Sequence, residues 1–237
     1  MLSVLLIGLL IGMRHAVEAD HVAAMASIVC DKPSFRQALT LGGVWGLGHS
    51  LALCLFGSVV LSMNTIIPET LAQTLELAVG ILMLALGGDV LRRLRQNKIH
   101  LHRHRHNDGK VHFHAHSHAG ESPDDHTGLK HEHCHSSGFP VRALLIGLMH
   151  GMAGSAVVIM IALGSVTSSL GGILYLLAFG TGSIIGMALL SVAISIPLHF
   201  SAGRLKHFNK VLQICVGIST ICLGLLLLYQ QSALLIA

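Results

Sequence analysis

Charge is scarce in this chain: Asp, Glu, Lys and Arg make up 11% of its 237 residues, against about a quarter in an ordinary soluble domain. Aromatic residues are also few, at 4%, and there are only five prolines. The five cysteines (Cys30, Cys54, Cys134, Cys215, Cys222) are odd in number and include no Cys-x-x-Cys pair. They read as small packing residues rather than a disulfide framework or a redox pair. No Gly-x4-Gly-Lys-Ser/Thr loop is present, so the chain does not hydrolyse ATP by that route. A His-Glu-x-x-His run occurs at His131-Glu132-His133-Cys134-His135, but it lies in the polar histidine-rich stretch and in no apolar span, so it does not make a zinc-type intramembrane protease of that pattern. What is abundant is hydrophobicity, at 52% of residues with a mean hydropathy of +0.70, and glycine, at 26 residues. Glycine lets membrane helices approach closely. The composition predicts an all-α integral membrane protein with no nucleic-acid partner.

A span needs about 20 largely apolar residues. Six candidates run over 2–29, 39–62, 71–92, 142–163, 170–198 and 211–236. The apolar start resembles a secretory signal only superficially, because no basic residue precedes it and a charged cluster follows inside the same segment. Cytoplasmic loops collect Lys and Arg. Placing both termini outside puts 14 of the 15 basic residues on one side, with only Arg14 inside a span. The expected organisation is a first three-helix unit over 1–95, a cytoplasmic histidine-rich loop over 96–140, and a second three-helix unit over 141–237. The expected location is the plasma membrane.

The two halves echo one another. Setting Ile7 against Ile146 aligns Gly8/Gly12 with Gly147/Gly151. Gly46-Leu47-Gly48-His49 resembles Gly180-Thr181-Gly182-Ser183, and Val79-Gly80-Ile81 with Leu86-Gly87 matches Val216-Gly217-Ile218 with Leu223-Gly224. An odd number of helices per half turns the second copy upside down. The expectation is two inverted three-helix repeats, an arrangement common in transporters, whose substrate sites lie near the midplane. A duplicated scaffold without transport is the plainer alternative.

Arg14-His15-Ala16-Val17-Glu18-Ala19-Asp20-His21 lies inside the first span. Each charged residue there costs roughly 2.5–3.5 kcal/mol on insertion scales, so a compensating partner is required. Arg14 can pair with Glu18 one turn on, and a bound cation can supply the rest; an ion-pair network without a ligand is the alternative. At 100° per residue Arg14, Glu18 and His21 share one face, while His15 and His21 stand about 120° apart and Asp20 points elsewhere. Either the helix is unwound here, or Asp20 orients a histidine instead of touching the ion. His49, after Gly46 and Gly48, and His150, within the small and polar run from His150 to Ser155, are further intramembrane candidates. Met13 and Met152 read as packing. The candidate metal ligands are therefore His15, Glu18, Asp20, His21, His49 and His150. Imidazole with carboxylate suits nickel, cobalt, copper or zinc rather than magnesium or calcium.

Twelve of the 18 histidines fall between His100 and His135. Few apolar residues interrupt them, so the loop is expected to be disordered without metal. Such tracts bind transition metals and can buffer, pass on or sense them.

The run from Arg14 to His21 resembles the Arg-His-Ala-x-Asp-Ala-Asp-His signature of the nickel/cobalt transporter superfamily, with Glu18 where that family has Asp. Leu47-Gly48-His49-Ser50 is similar to its second motif. In the second half the Phe-Asp-Thr and Thr-Glu motifs are missing, and His150-Gly151-Met152-Ala153-Gly154-Ser155-Ala156 is similar to the urease-accessory-H-like branch. The extra terminal helices of eight-helix members are also missing. The resemblance implies metal recognition by His15, Asp20, His21 and His49, with Ni2+ or Co2+ as cargo and no other cofactor. It also implies a bacterial inner-membrane location and, on the cytosolic side, metallochaperones or urease and hydrogenase maturation proteins as partners. Uptake is the expected direction; efflux, or a membrane metal sensor or chaperone that moves nothing, are the alternatives. His15-x4-Asp20 also spells the catalytic pair of glycerolipid acyltransferases, but the soluble domain that carries it there is missing, and no enzyme activity is expected.

Overall fold

Long apolar runs satisfy their backbone without water by forming helices, and the described residues include seven. The computed structural model describes residues 2–30, 34–63, 68–96, 100–105, 111–116, 140–153, 169–204 and 206–236. The helices are α1 (Leu2–His15), α2 (Ala19–Val29), α3 (Phe35–Met63), α4 (Glu69–Gln96), α5 (Val141–Ala153), α6 (Ser169–Arg204) and α7 (Lys206–Ile236). Four of them, α3, α4, α6 and α7, are long and apolar enough to cross a membrane. The α1–α2 pair makes a fifth crossing if its 58° bend is taken as a break within one span. Among the described residues the expected six spans are therefore four or five. The fourth expected span, 142–163, is represented by α5 alone, and its remainder lies outside the described residues.

The first span is broken at the polar cluster, the first of the two alternatives that the sequence left open. Glycine and leucine carry α1 to His15, and the chain then tightens through Val17 N–H to Arg14 C=O (3.0 Å) and Glu18 N–H to His15 C=O (3.1 Å). Glu18 is extended (φ −65°, ψ 150°) before α2 begins. The loop expected to be disordered contains an antiparallel ribbon, β1 (His100–Arg105) with β2 (Val111–His116), in the register His100 opposite His116. Its sequence alternates with period two, which is the period of a strand.

Close backbone contacts set the helix arrangement. A side chain on Gly12 of α1 would fall on the Phe179 carbonyl of α6 and come within 3.0 Å of Ser183 N; one on Gly147 of α5 would fall on the Trp45 carbonyl of α3 and within 3.0 Å of His49 N. Between α4 and α7, Gly80 lies against Gly224 and Leu228, while Gly217 lies against Gly87 and Leu91. The central α3–α6 seam includes Trp45 and Met187, both fully buried. Hydrogen bonds cross the packing at a few points: Ser50 donates to Gly180 C=O (2.8 Å), Ser27 and Thr220 meet at 3.0 Å, and Gln231 donates to Glu76. At one end of the bundle Asp89 of α4 binds Arg92, Arg93 and, 53 residues on in the chain, Arg142 of α5, at 2.7–2.8 Å. That clasp brings the end of α4 and the start of α5 to the same side.

The outside of the bundle is apolar. Leu2, Leu6 and Leu10 on α1, Leu51, Leu55 and Val59 on α3, and Leu177 and Leu189 on α6 are all exposed. The most apolar long helix, α7, is also the least buried. Water would penalise such a surface, and a lipid bilayer would not. The chain is a helical membrane protein.

Candidate metal centre

The break after α1 lets one short segment aim three side chains that a continuous helix would scatter. His15 ends α1, and the turn at Ala16–Glu18 reverses the angular conflict between His15 and His21. Their rings lie 4.4 Å apart, centroid to centroid. His49, on α3, lies 5.2 Å from His15 and 5.1 Å from His21. His150, near the end of α5, lies 4.5 Å from His21 and 6.4 Å from His49. The four imidazoles are at most 6% exposed.

Two carboxylates hold three of them. His15 Nδ1 donates to Glu18 Oε1 at 3.0 Å. His21 Nδ1 donates to Asp20 Oδ1 at 3.0 Å, and His150 Nε2 donates to the other oxygen, Asp20 Oδ2, at 2.9 Å. An ionised carboxylate only accepts, so each partnered nitrogen carries the hydrogen and the opposite nitrogen of a neutral ring carries a bare lone pair. Those opposite atoms, His15 Nε2, His21 Nε2 and His150 Nδ1, are buried without a hydrogen-bond partner, and so are both nitrogens of His49. Unsatisfied buried acceptors are costly. Several of them within one buried cluster are lone pairs that an electron-pair acceptor would satisfy.

Ligand atoms of His15, His21 and His49 lie within 4.8 Å of one another, as do those of Asp20, His21 and His150. The two groups differ chemically. In the second, the atoms that meet already hydrogen-bond one another through Asp20; in the first, each ring retains a nitrogen with no partner.

All six sequence candidates meet in one cluster. One detail differs from expectation. Glu18 pairs with His15 and not with Arg14, which is exposed; the helix break rotates residue 14 away from residue 18. Gly151 seats the backbone of His49, whose carbonyl and Cα a side chain at 151 would strike. Gly154 and Ser155 lie outside the described residues.

Trp45 was not a sequence candidate. Fully buried, it stands 5.4 Å from the His21 ring and 5.7 Å from His150, with its indole N–H unpartnered. Phe179 closes the other side, 5.3 Å from His15. The signal for Trp45 was its place one helical turn before His49, on the same face.

No solved structure matches this chain, and no family model matches it. The urease accessory protein UreH of Bacillus sp. (strain TB-90) is 32% identical over 222 residues, covering 93% of this chain and 89% of that protein. At that identity over nearly the whole of both chains, this chain belongs to the UreH family of urease accessory proteins.

Proposed function

We propose that this protein carries a divalent transition-metal cation, nickel first and cobalt second, across the bilayer into the cytoplasm. The observation that carries the reading is the buried group of His15, His21 and His49 at the broken helix, whose ligand atoms lie within 4.8 Å of one another and whose rings each keep an unpartnered nitrogen. Asp20 and Glu18 stand behind two of these rings, the usual way a protein fixes the tautomer of a metal-binding histidine and raises its basicity. A nitrogen-rich donor set selects borderline transition metals over magnesium and calcium. Membership of a urease accessory family supports nickel in particular, because urease is a nickel enzyme. The six-span arrangement in two inverted repeats, both termini outside, belongs to the same proposal. Delivery to urease maturation proteins on the cytoplasmic side would complete the route.

The direct test is nickel flux into proteoliposomes containing the purified protein, with cobalt and zinc as competitors. Flux above that of empty vesicles supports the reading; tight binding with no flux would make the protein a membrane metal holder. Imidazole must be neutral to bind, so protons compete for the same lone pairs. Flux should therefore be greatest near neutral pH and fall on acidification. A flux that rises on acidification would argue against histidine ligation.

The histidine-rich linker has a separate role in this proposal, as a cytoplasmic buffer for arriving ions. Deleting residues 100–135 should leave the initial flux rate in proteoliposomes within about twofold of the full-length protein, while lowering the number of ions bound per chain. Complete loss of flux would place the linker in the pathway itself.

A further inference from the structure

The packing contacts of the two halves are reciprocal, residue for residue. Gly12 of α1 abuts Phe179 and Ser183 of α6; Gly147 of α5 abuts Trp45 and His49 of α3. Gly182 of α6 lies against Leu9 of α1; Gly48 of α3 lies against Leu144 of α5. Gly80 meets Gly224 and Leu228; Gly217 meets Gly87 and Leu91. A single exchange accounts for every pair: Leu9 with Leu144, Gly12 with Gly147, Trp45 with Phe179, Gly48 with Gly182, His49 with Ser183, and Gly80 with Gly217.

This exchange corrects the sequence alignment by one helical turn. Matching Ile7 with Ile146 set His150 opposite Ile11. The contacts instead set Leu9-Leu10-Ile11-Gly12-Met13-Arg14-His15-Ala16 against Leu144-Leu145-Ile146-Gly147-Leu148-Met149-His150-Gly151. His150 becomes the counterpart of His15. The two histidines then share three properties: each ring is 4.4–4.5 Å from His21, each gives one nitrogen to a carboxylate, and each leaves the other buried and unpartnered.

The contacts also give direction. α1 meets α6 in parallel, Gly8 against Tyr175 and Gly12 against Phe179, whereas α3 and α6 run antiparallel, Gly42 against Ser191 and Ser50 against Gly180. An exchange that reverses α3 into α6 interchanges the two sides of the membrane.

We infer that a two-fold axis in the membrane plane relates His15 to His150, making them the alternate ligands of one ion that is reached from opposite sides and retained throughout by His21. The inference rests on the transport reading above. In one state the ion is held by His15, His21 and His49. In the other, the unpartnered Nδ1 of His150 replaces His15 Nε2. The exchange is one imidazole leaving as another arrives, with no bond to hydrogen broken, because Asp20 keeps the His150 Nε2–H throughout. His49 has Ser183 as its counterpart, so the two states are unequal and the His49 side is the better ligated.

The test places a cysteine at either position, His15→Cys or His150→Cys, in a chain whose five native cysteines are replaced by serine or alanine. Each is treated in sealed, oriented vesicles with a membrane-impermeant maleimide from one face and then the other. Labelling from opposite faces is expected; labelling from the same face, or at one position only, or at neither, overturns the inference. A second measurement uses glutamine. His150→Gln should still bind nickel in detergent through His15, His21 and His49, while flux falls at least tenfold. His15→Gln should lose both. Equal loss of binding in the two variants, or undiminished flux in His150→Gln, would reduce His150 to a brace for Asp20. Absence of nickel flux in the unmodified protein would instead remove the transport reading, whichever faces are labelled.

Discussion

Replacing His21 with alanine should abolish nickel binding and flux together, with affinity falling at least 100-fold, the largest loss expected from any single side chain at the site. His21 is the one ring common to both candidate ligand groups. It lies within 4.4–5.1 Å of each of the other three imidazoles, and it is 1% exposed, so water cannot take its place. Asp20→Asn should show the carboxylate's part. Asp20 accepts from His21 Nδ1 and His150 Nε2 at once. An asparagine side chain has one oxygen and one N–H2, so it can accept from one ring but must donate to the other. The ring that receives a hydrogen bond switches tautomer and turns an N–H, instead of a lone pair, toward the ion. A loss of 10–100-fold in affinity is the usual size for such a partner. Titration calorimetry on the purified protein measures both variants. Nickel affinity unchanged in His21→Ala would remove the site, whatever transport then showed.

How far the sequence discloses this arrangement depends on the scale of the question. Ionisable residues at bilayer depth are conspicuous because hydrocarbon penalises them, and that signal marks His15, Glu18, Asp20, His21, His49 and His150 without any knowledge of the fold. The helix break is legible too: on a regular helix His15 and His21 diverge by about 120°, and the structure resolves the conflict by bending 58° between α1 and α2. Partner choice is not legible. Arg14 and Glu18 have helical spacing, but spacing predicts contact only while the helix continues, and it stops at His15. The repeat register is also underdetermined. Gly8 and Gly12, like Gly147 and Gly151, recur every four residues, so sliding one tract past the other by a turn keeps small residues matched with small. Only backbone contacts can choose between the two settings, and the inference that His150 is the counterpart of His15 rests on them. Trp45 escapes notice because a single apolar residue in an apolar helix carries no contrast.

Because those contacts are backbone to backbone, substitution at Gly147 should be among the most damaging changes away from the histidines. An added Cβ there meets the Trp45 carbonyl oxygen, with Trp45 C and His49 N both at 3.0 Å. No rotamer relieves a clash with a main chain, so α5 and α3 must separate or tilt. Overpacking of this kind typically costs about 1–3 kcal/mol, against a gain of only about 0.5–1 kcal/mol from putting alanine for glycine in a helix. The displacement also falls on His49 and, through Trp45, on His21 and His150. Gly147→Ala should therefore lower the melting temperature in detergent and weaken nickel binding at least tenfold; Gly147→Val should prevent recovery of monodisperse protein. Gly12→Ala should behave alike, since its Cβ meets Phe179 and Ser183 in the same way. Gly43 and Gly88 supply the comparison, because a Cβ at either meets nothing within 4 Å, so alanine there should leave the melting temperature unchanged or raised. If Gly147→Ala melted with Gly43→Ala, the α3–α5 contact would be looser than described, and His49 would not be seated by it.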